Sequence, residues 1–213
     1  MRWFRGAGET ESKPVTKVSA GQRIGRRSTG FTEFTRALAS YSELSVLDLG
    51  PTSSSNIAFL TGFGGRVYNE DLLRATQDPQ YRQKSEGIET LDVDRFFVEN
   101  LDHPENRFDA VLCWDTPDYL HEALVKPMVQ RIHKIMKPGG ILLAFFHTRD
   151  AGPDCPYYRY HIAKPDLLEL ERGPDFKLQR VFNNRHVENL FKDFSSLKFF
   201  LARDNVREIL AIR

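Results

Sequence analysis

Ser45-Val46-Leu47-Asp48-Leu49-Gly50-Pro51-Thr52-Ser53-Ser54-Ser55-Asn56 is the stretch whose reading decides the fold. Val46, Leu47 and Leu49 make the short apolar run of a parallel strand covered on both faces, and Gly50 ends it where the backbone must turn sharply. Ser54 or Ser55 is suited to cap the next helix, since a side-chain oxygen there accepts an amide hydrogen that the first turn leaves free. Ile57 and Leu60 lie one helical step apart, and Gly62, Gly64 and Gly65 close that helix. A second apolar segment, Arg66-Val67-Tyr68-Asn69-Glu70-Asp71, then runs to an acidic tip.

That order has a physical use. A loop leaving the carboxyl edge of a central strand presents free amides at a helix N-terminus, where a carboxylate or phosphate is welcome. An acid about 20 residues beyond the glycine can accept both hydroxyls of a ribose. Asp71 is so placed. The plainer alternative is that Asp48 and Asp71 only polarise strand ends.

Working outward, Phe31, Phe34, Leu38 and Tyr41 predict an amphipathic helix lying across the sheet. Residues 72 to 90 are polar, with Pro79 and Gly87, and predict a short helix at most, then loop. Residues 91 to 101 fit strand or helix equally. Phe108-Asp109-Ala110-Val111-Leu112-Cys113-Trp114-Asp115 reads as a buried strand ending on an acid, the neighbour of the central strand. Leu124, Met128, Ile132 and Ile135 mark a helix with a break or start at Pro127, and Ile141 to Phe146 a further strand with His147 just beyond it. Prolines and glycines from 149 to 182 suggest an inserted, β-rich cap. Val187, Leu190, Phe191 and Phe194 give a helical face, and two strand-like runs joined at Asp204-Asn205 predict a closing hairpin. The expected class is therefore α/β: a Rossmann-like, mostly parallel sheet with helices on both faces and a C-terminal antiparallel hairpin.

Lys and Arg number 30 against 29 acids, so no global field argues for nucleic acid or membrane. Residues 1 to 30 are locally basic and without an apolar period, which predicts a flexible arm ahead of a domain spanning 31 to 213. Nucleic acid would bind only through that arm. With no signal-peptide core and no stretch of transmembrane length, a soluble, cytoplasmic protein without membrane partners is expected. Cys113 and Cys155 lack paired-cysteine spacing, so neither a disulfide framework nor a metal site is indicated. Oligomeric state is not legible.

Four segments together resemble the class I S-adenosylmethionine-dependent methyltransferases: VLDLG at 46–50, RVYNED at 66–71, FDAVLCWD at 108–115 and MKPGGILLAFF at 136–146. The resemblance covers about residues 31 to 213, and the terminal helix and hairpin match that family's reversed last strand. Its first loop usually alternates glycine with any residue; here only Gly50 remains, with Thr52 and Ser54 at the later positions and Pro51 lacking an amide donor. The resemblance implies S-adenosyl-L-methionine as cofactor and a methyl acceptor that the sequence does not identify. It implies cofactor contacts from Asp48, Gly50, Thr52, Ser53 and Ser54 at the methionine end, Glu70 or Asp71 at the ribose, and Asp92 or Asp94 at the adenine edge. Asp115 would lie near the transferred methyl, and a neutral His147 would take a proton from the acceptor. Tyr157, Tyr158, Arg159 and Tyr160 are the candidate substrate wall, through stacking and anion pairing. The altered loop keeps a second reading open, a non-catalytic methyltransferase-like binding domain that has lost the cofactor.

Overall fold

The structure, a computed structural model, describes residues 21–85, 88–148, 155–202 and 204–213. In chain order the elements are β1 (Arg23–Arg27), α1 (Thr29–Leu38), β2 (Ser45–Asp48), α2 (Ser54–Thr61), β3 (Arg66–Asn69), α3 (Leu72–Ala75) and a 3-10 turn (Pro79–Tyr81). Then come β4 (Arg82–Ser85), β5 (Ile88–Leu91), α4 (Val93–Glu99), β6 (Phe108–Trp114), α5 (Thr116–Tyr119), α6 (Glu122–Ile135) and β7 (Met136–His147). The last are β8 (Tyr158–Lys164), β9 (Leu167–Arg172), α7 (Asn184–Leu190), β10 (Ser196–Leu201) and β11 (Val206–Ile212).

The main sheet runs β10-β11-β7-β6-β2-β3. Its β3, β2, β6 and β7 are parallel, while β11 is antiparallel to β7 and to β10. Side chains alternate across it with the period of two that a strand imposes. Val46, Ala110, Leu112, Leu143 and Phe145 face a core shared with α1, α2 and the inserted strands. Leu47, Val111, Leu142, Ala144 and Phe146 face the other, with α4, α6 and α7. The mostly parallel sheet, the closing hairpin and the helical covering expected from the sequence are all present.

Several local expectations need correction. Ser53, not Ser54 or Ser55, caps α2, its Oγ accepting from the Asn56 amide at 3.4 Å. Residues 82–85 and 88–91 are not loop but two antiparallel strands, β4 paired with β5. Pro127 lies inside α6, which starts earlier, at Glu122. Of the stretch 91–101, Leu91 ends β5 and Val93–Glu99 forms helix α4, capped by Asp92.

The expected basic arm lies over residues 1–20 outside the described residues, but its last part is built into the domain. Arg23–Arg27 pairs antiparallel with β9, which pairs with β8, making a three-stranded sheet from the chain's start and its insert. The physical reason is charge pairing. Arg26, only 6% exposed, meets Asp204 at 2.5 Å and Glu208 at 2.8 Å. Glu208 also accepts from the Gly30 amide at 2.5 Å, and a Cβ at Gly30 would sit 2.9 Å from that carboxylate, so only glycine lets α1 approach β11 this closely. Gly30→Ala should therefore cost about 1–3 kcal/mol in chemical denaturation, by overpacking.

Candidate functional site

The carboxyl ends of β2, β3, β6 and β7 meet along one edge of the sheet, where an open α/β sheet exposes its loops. The first loop is knitted rather than open. Asn69 Nδ2 donates to the carbonyls of Asp48 and Gly50 at 3.1 and 2.8 Å, and the Thr52 hydroxyl donates to Asn69 Oδ1 at 2.5 Å. Ser53 Oγ lies 2.9 Å from His161 Nδ1 on β8, which ties the loop to the insert. Ser54 is exposed at the start of α2.

Asp48 is not available to a ligand. It is 2% exposed and accepts from Trp114 Nε1 at 2.6 Å and Asn56 Nδ2 at 3.0 Å. Burial raises its pKa to about 6, against the lowering effect of the bonds from Asn56 and Trp114. Asn56 also donates to the Tyr160 carbonyl and accepts from the Ile162 amide, so the residue that braces Asp48 also anchors β8. Trp114, at a φ of 49°, places its indole so close to Gly50 that a Cβ there would meet it at 3.3 Å. Its other face stacks on Tyr160 at 5.0 Å between centroids and 1° between planes.

Glu70 and Asp71, adjacent in sequence, part company. Glu70 accepts from the Leu101 amide at 2.8 Å and meets His103 Nε2 at 2.6 Å, so its carboxylate is turned away from the edge. Asp71 caps α3 through Oδ1 and lines a cavity of about 680 Å³ with Pro51, Thr52, Gln77, Arg159 and Phe176. The Nε of Arg159 is itself enclosed and has no hydrogen-bond partner. Asp92 is spent on capping α4 and accepts from Gln83. Asp94 is exposed and lines a separate groove with Arg131 and Lys134 of α6. Neither lies on the wall of the cavity that Asp71 lines.

A second cavity, about 390 Å³, opens at the ends of β6 and β7 and is bordered by Arg26, Asp115, His147, Cys155, Tyr158 and Tyr160. Asp115 is 3% exposed; its Oδ2 accepts from the Tyr160 hydroxyl at 3.0 Å, and its Oδ1 has no partner. Burial raises its pKa to about 7, partly opposed by the His147 charge. Asp118 escaped the sequence reading. It is fully buried and accepts through Oδ2 from both the His147 amide, at 2.7 Å, and His147 Nδ1, at 2.8 Å. A second carboxylate three residues past the strand-end acid was the available signal. Burial alone would lower the His147 pKa, but the bond from Asp118, then Cys155 and the nearby carboxylates, hold it up to about 10. The expected neutral base is thus an imidazolium at neutral pH.

Tyr157 and Tyr160 are core residues rather than an open wall, 5% and 8% exposed. Tyr157 packs edge-on against Tyr119 and Phe176, and burial, then the charges of Asp115 and Asp71, raise its pKa. Tyr158 and Arg159 line one cavity each.

The family described as "Methyltransferase domain" matches residues 47–144, the part that holds β2 through most of β7. Residues 47–144 are thus similar to a methyltransferase domain, carried on a Rossmann-like sheet. Among solved structures, the PH0226 protein from Pyrococcus horikoshii OT3 superposes with a TM-score of 0.50 at 16% identity, over 85% of this chain and 88% of that one. A Burkholderia thailandensis 1,6-didemethyltoxoflavin-N1-methyltransferase with bound S-adenosylhomocysteine gives 0.48 at 16% identity, over 87% and 77%. An S-adenosylmethionine-dependent methyltransferase from Aquifex aeolicus gives 0.45 at 15% identity, over 85% and 88%. No curated protein matches the chain. Among the described residues no group of His, Cys, Asp and Glu is arranged to hold a metal, and no helix is long and apolar enough to cross a membrane.

Proposed function

We propose that the protein is an S-adenosylmethionine-dependent methyltransferase that holds the adenosyl half of the donor in the 680 Å³ cavity. The observation that carries this reading is that Asp71, Pro51 and Thr52 of the first loop, and Arg159 line one cavity at the carboxyl edge of β2 and β3. The Asp71 carboxylate suits the two ribose hydroxyls, and the Arg159 guanidinium suits a carboxylate. When bound, the donor supplies a methyl group on a positively charged sulfur. The chain's own contribution is to orient and to exclude water: Tyr157, Trp114 and Tyr160 form an aromatic floor that keeps solvent from the edge. His147, protonated against Asp118, would fix an electron-rich group of the acceptor rather than take its proton.

Addition of S-adenosylhomocysteine to the full chain should raise Tm, because a ligand that binds only the folded state stabilises it by mass action. Asp71→Ala should remove the shift. Since Asp71 also caps α3, Asp71→Ser serves as the control that keeps a capping oxygen. Arg159→Ala should weaken Kd by about tenfold or more, the scale of one charge-assisted hydrogen bond. A second reading, a binding domain without donor, is favoured by the Trp114 ring seated over Gly50. Absence of any shift at saturating ligand, with no heat in titration calorimetry, would decide for it.

A further inference from the structure

Cys155 and His147 line the smaller cavity, with the buried Asp118 behind His147. Asp118 Oδ2 holds His147 Nδ1 at 2.8 Å, which leaves His147 Nε2 facing Cys155 Sγ at 3.6 Å. The Tyr119 hydroxyl lies 3.9 Å from the same sulfur and donates to the Pro156 carbonyl at 3.3 Å. Cys155 is half-buried, so it is reachable, whereas Cys113 is fully enclosed. This is the nucleophile, base and orienting acid arrangement that activates a thiol. A separate observation points to a ligand: Asp115, almost wholly buried and with an Oδ1 that has no partner, lines the same cavity and calls for a hydrogen-bond donor.

We propose that Cys155, His147 and Asp118 form a nucleophilic thiol centre, covalently modified by a small uncharged carbon electrophile that carries an N–H donor. The size follows from the 390 Å³ of the cavity. The absence of ligand charge follows from the pairing of Arg26 with Asp204 and Glu208 and of His147 with Asp118, which leaves no free cation for an anion among the described lining groups. In the step, the thiol proton resides on His147 and the Sγ electron pair forms the sulfur–carbon bond. The leaving group departs with the pair of the bond it breaks, and the proton stays on His147, held there by Asp118. No methyl donor takes part, so the centre stands or falls apart from the proposed methyltransferase activity.

Iodoacetamide tests it on the full chain without added cofactor, with peptide mass mapping. Cys155 should be alkylated about tenfold faster than glutathione at neutral pH, because a free thiol is then only a few per cent thiolate. His147→Gln should bring the rate down to that of glutathione. The preference for iodoacetamide over anionic iodoacetate should exceed that of glutathione. Thiolate ultraviolet absorbance present in the parent and lost in Cys155→Ser gives a readout that does not depend on the His147 variant folding. A Cys155 rate equal to glutathione, or no absorbance lost in Cys155→Ser, overturns the centre; an equal preference for iodoacetate overturns the uncharged ligand.

Discussion

Arg26→Met should lower the stability of the domain by about 3–5 kcal/mol, the scale on which removing one partner of a buried ion pair leaves the other charge uncompensated. Glu208 is 1% exposed and would keep only its bond from the Gly30 amide once the guanidinium is gone. Deleting residues 1–28 should do at least as much, since it also removes β1 and the Ser28 cap of α1, whose Oγ accepts from Phe31 at 3.0 Å. Denaturant titration of the two variants beside Arg26→Met/Glu208→Gln checks the account. The double variant should recover part of the loss, because it no longer buries a lone carboxylate.

The second large effect is on pH. His147 has its folded pKa raised from 6.5 to about 10, so it contributes stability that is complete below pH 6.5 and lost as pH rises through about 10. The difference corresponds to at most about 5 kcal/mol. Asp48 and Asp115, acids whose pKa is raised by burial to about 6 and about 7, hold protons more tightly when folded. Their ionisation therefore takes stability away as pH climbs from about 4 to those values. All three act in the same direction. Tm followed by circular dichroism should fall steadily from mildly acidic to alkaline pH, and Asp118→Asn, which removes the charge that holds the His147 proton, should flatten the alkaline part. A Tm that rises between neutral and alkaline pH in the parent would contradict the assignment.

What could be read from the sequence was whatever a buried apolar run announces. Leu47, Val111 and Leu142 lie in strands packed on both faces, and their neighbours are apolar enough to signal it. The pair β4 and β5 gave no such sign, because its strands pair only with each other and the first reads Arg-Gln-Lys-Ser. β1 was hidden for a different reason: Arg-Ile-Gly-Arg-Arg becomes a strand through pairing with β9 and through acids 178 or more positions away, and no local period records that. At the site, positions were legible and directions were not. Strand ends pointed to Asp48, Glu70, Asp71, Asp115 and His147, yet only the fold shows that Glu70 turns to His103 while Asp71 faces the cavity. Asp118 acquires its place through a helix of one turn that a sequence period cannot register.

The pairing of β1 with β9 also orders events during synthesis. Arg23–Arg27 is made well before its hydrogen-bonding partner, Leu167–Glu171, and its buried counter-charges, Asp204 and Glu208. The nascent chain must therefore carry an unpaired, arginine-rich segment while the central strands β2, β6 and β7 are completed behind it. Contacts this distant in sequence close slowly, since the entropy of the long loop is lost before the strand is gained. Locking of the insert over the carboxyl edge thus waits for Asp204 and Glu208, and a ribosome-stalled chain ending before Asp204 would present the sheet edge with its cover unfastened.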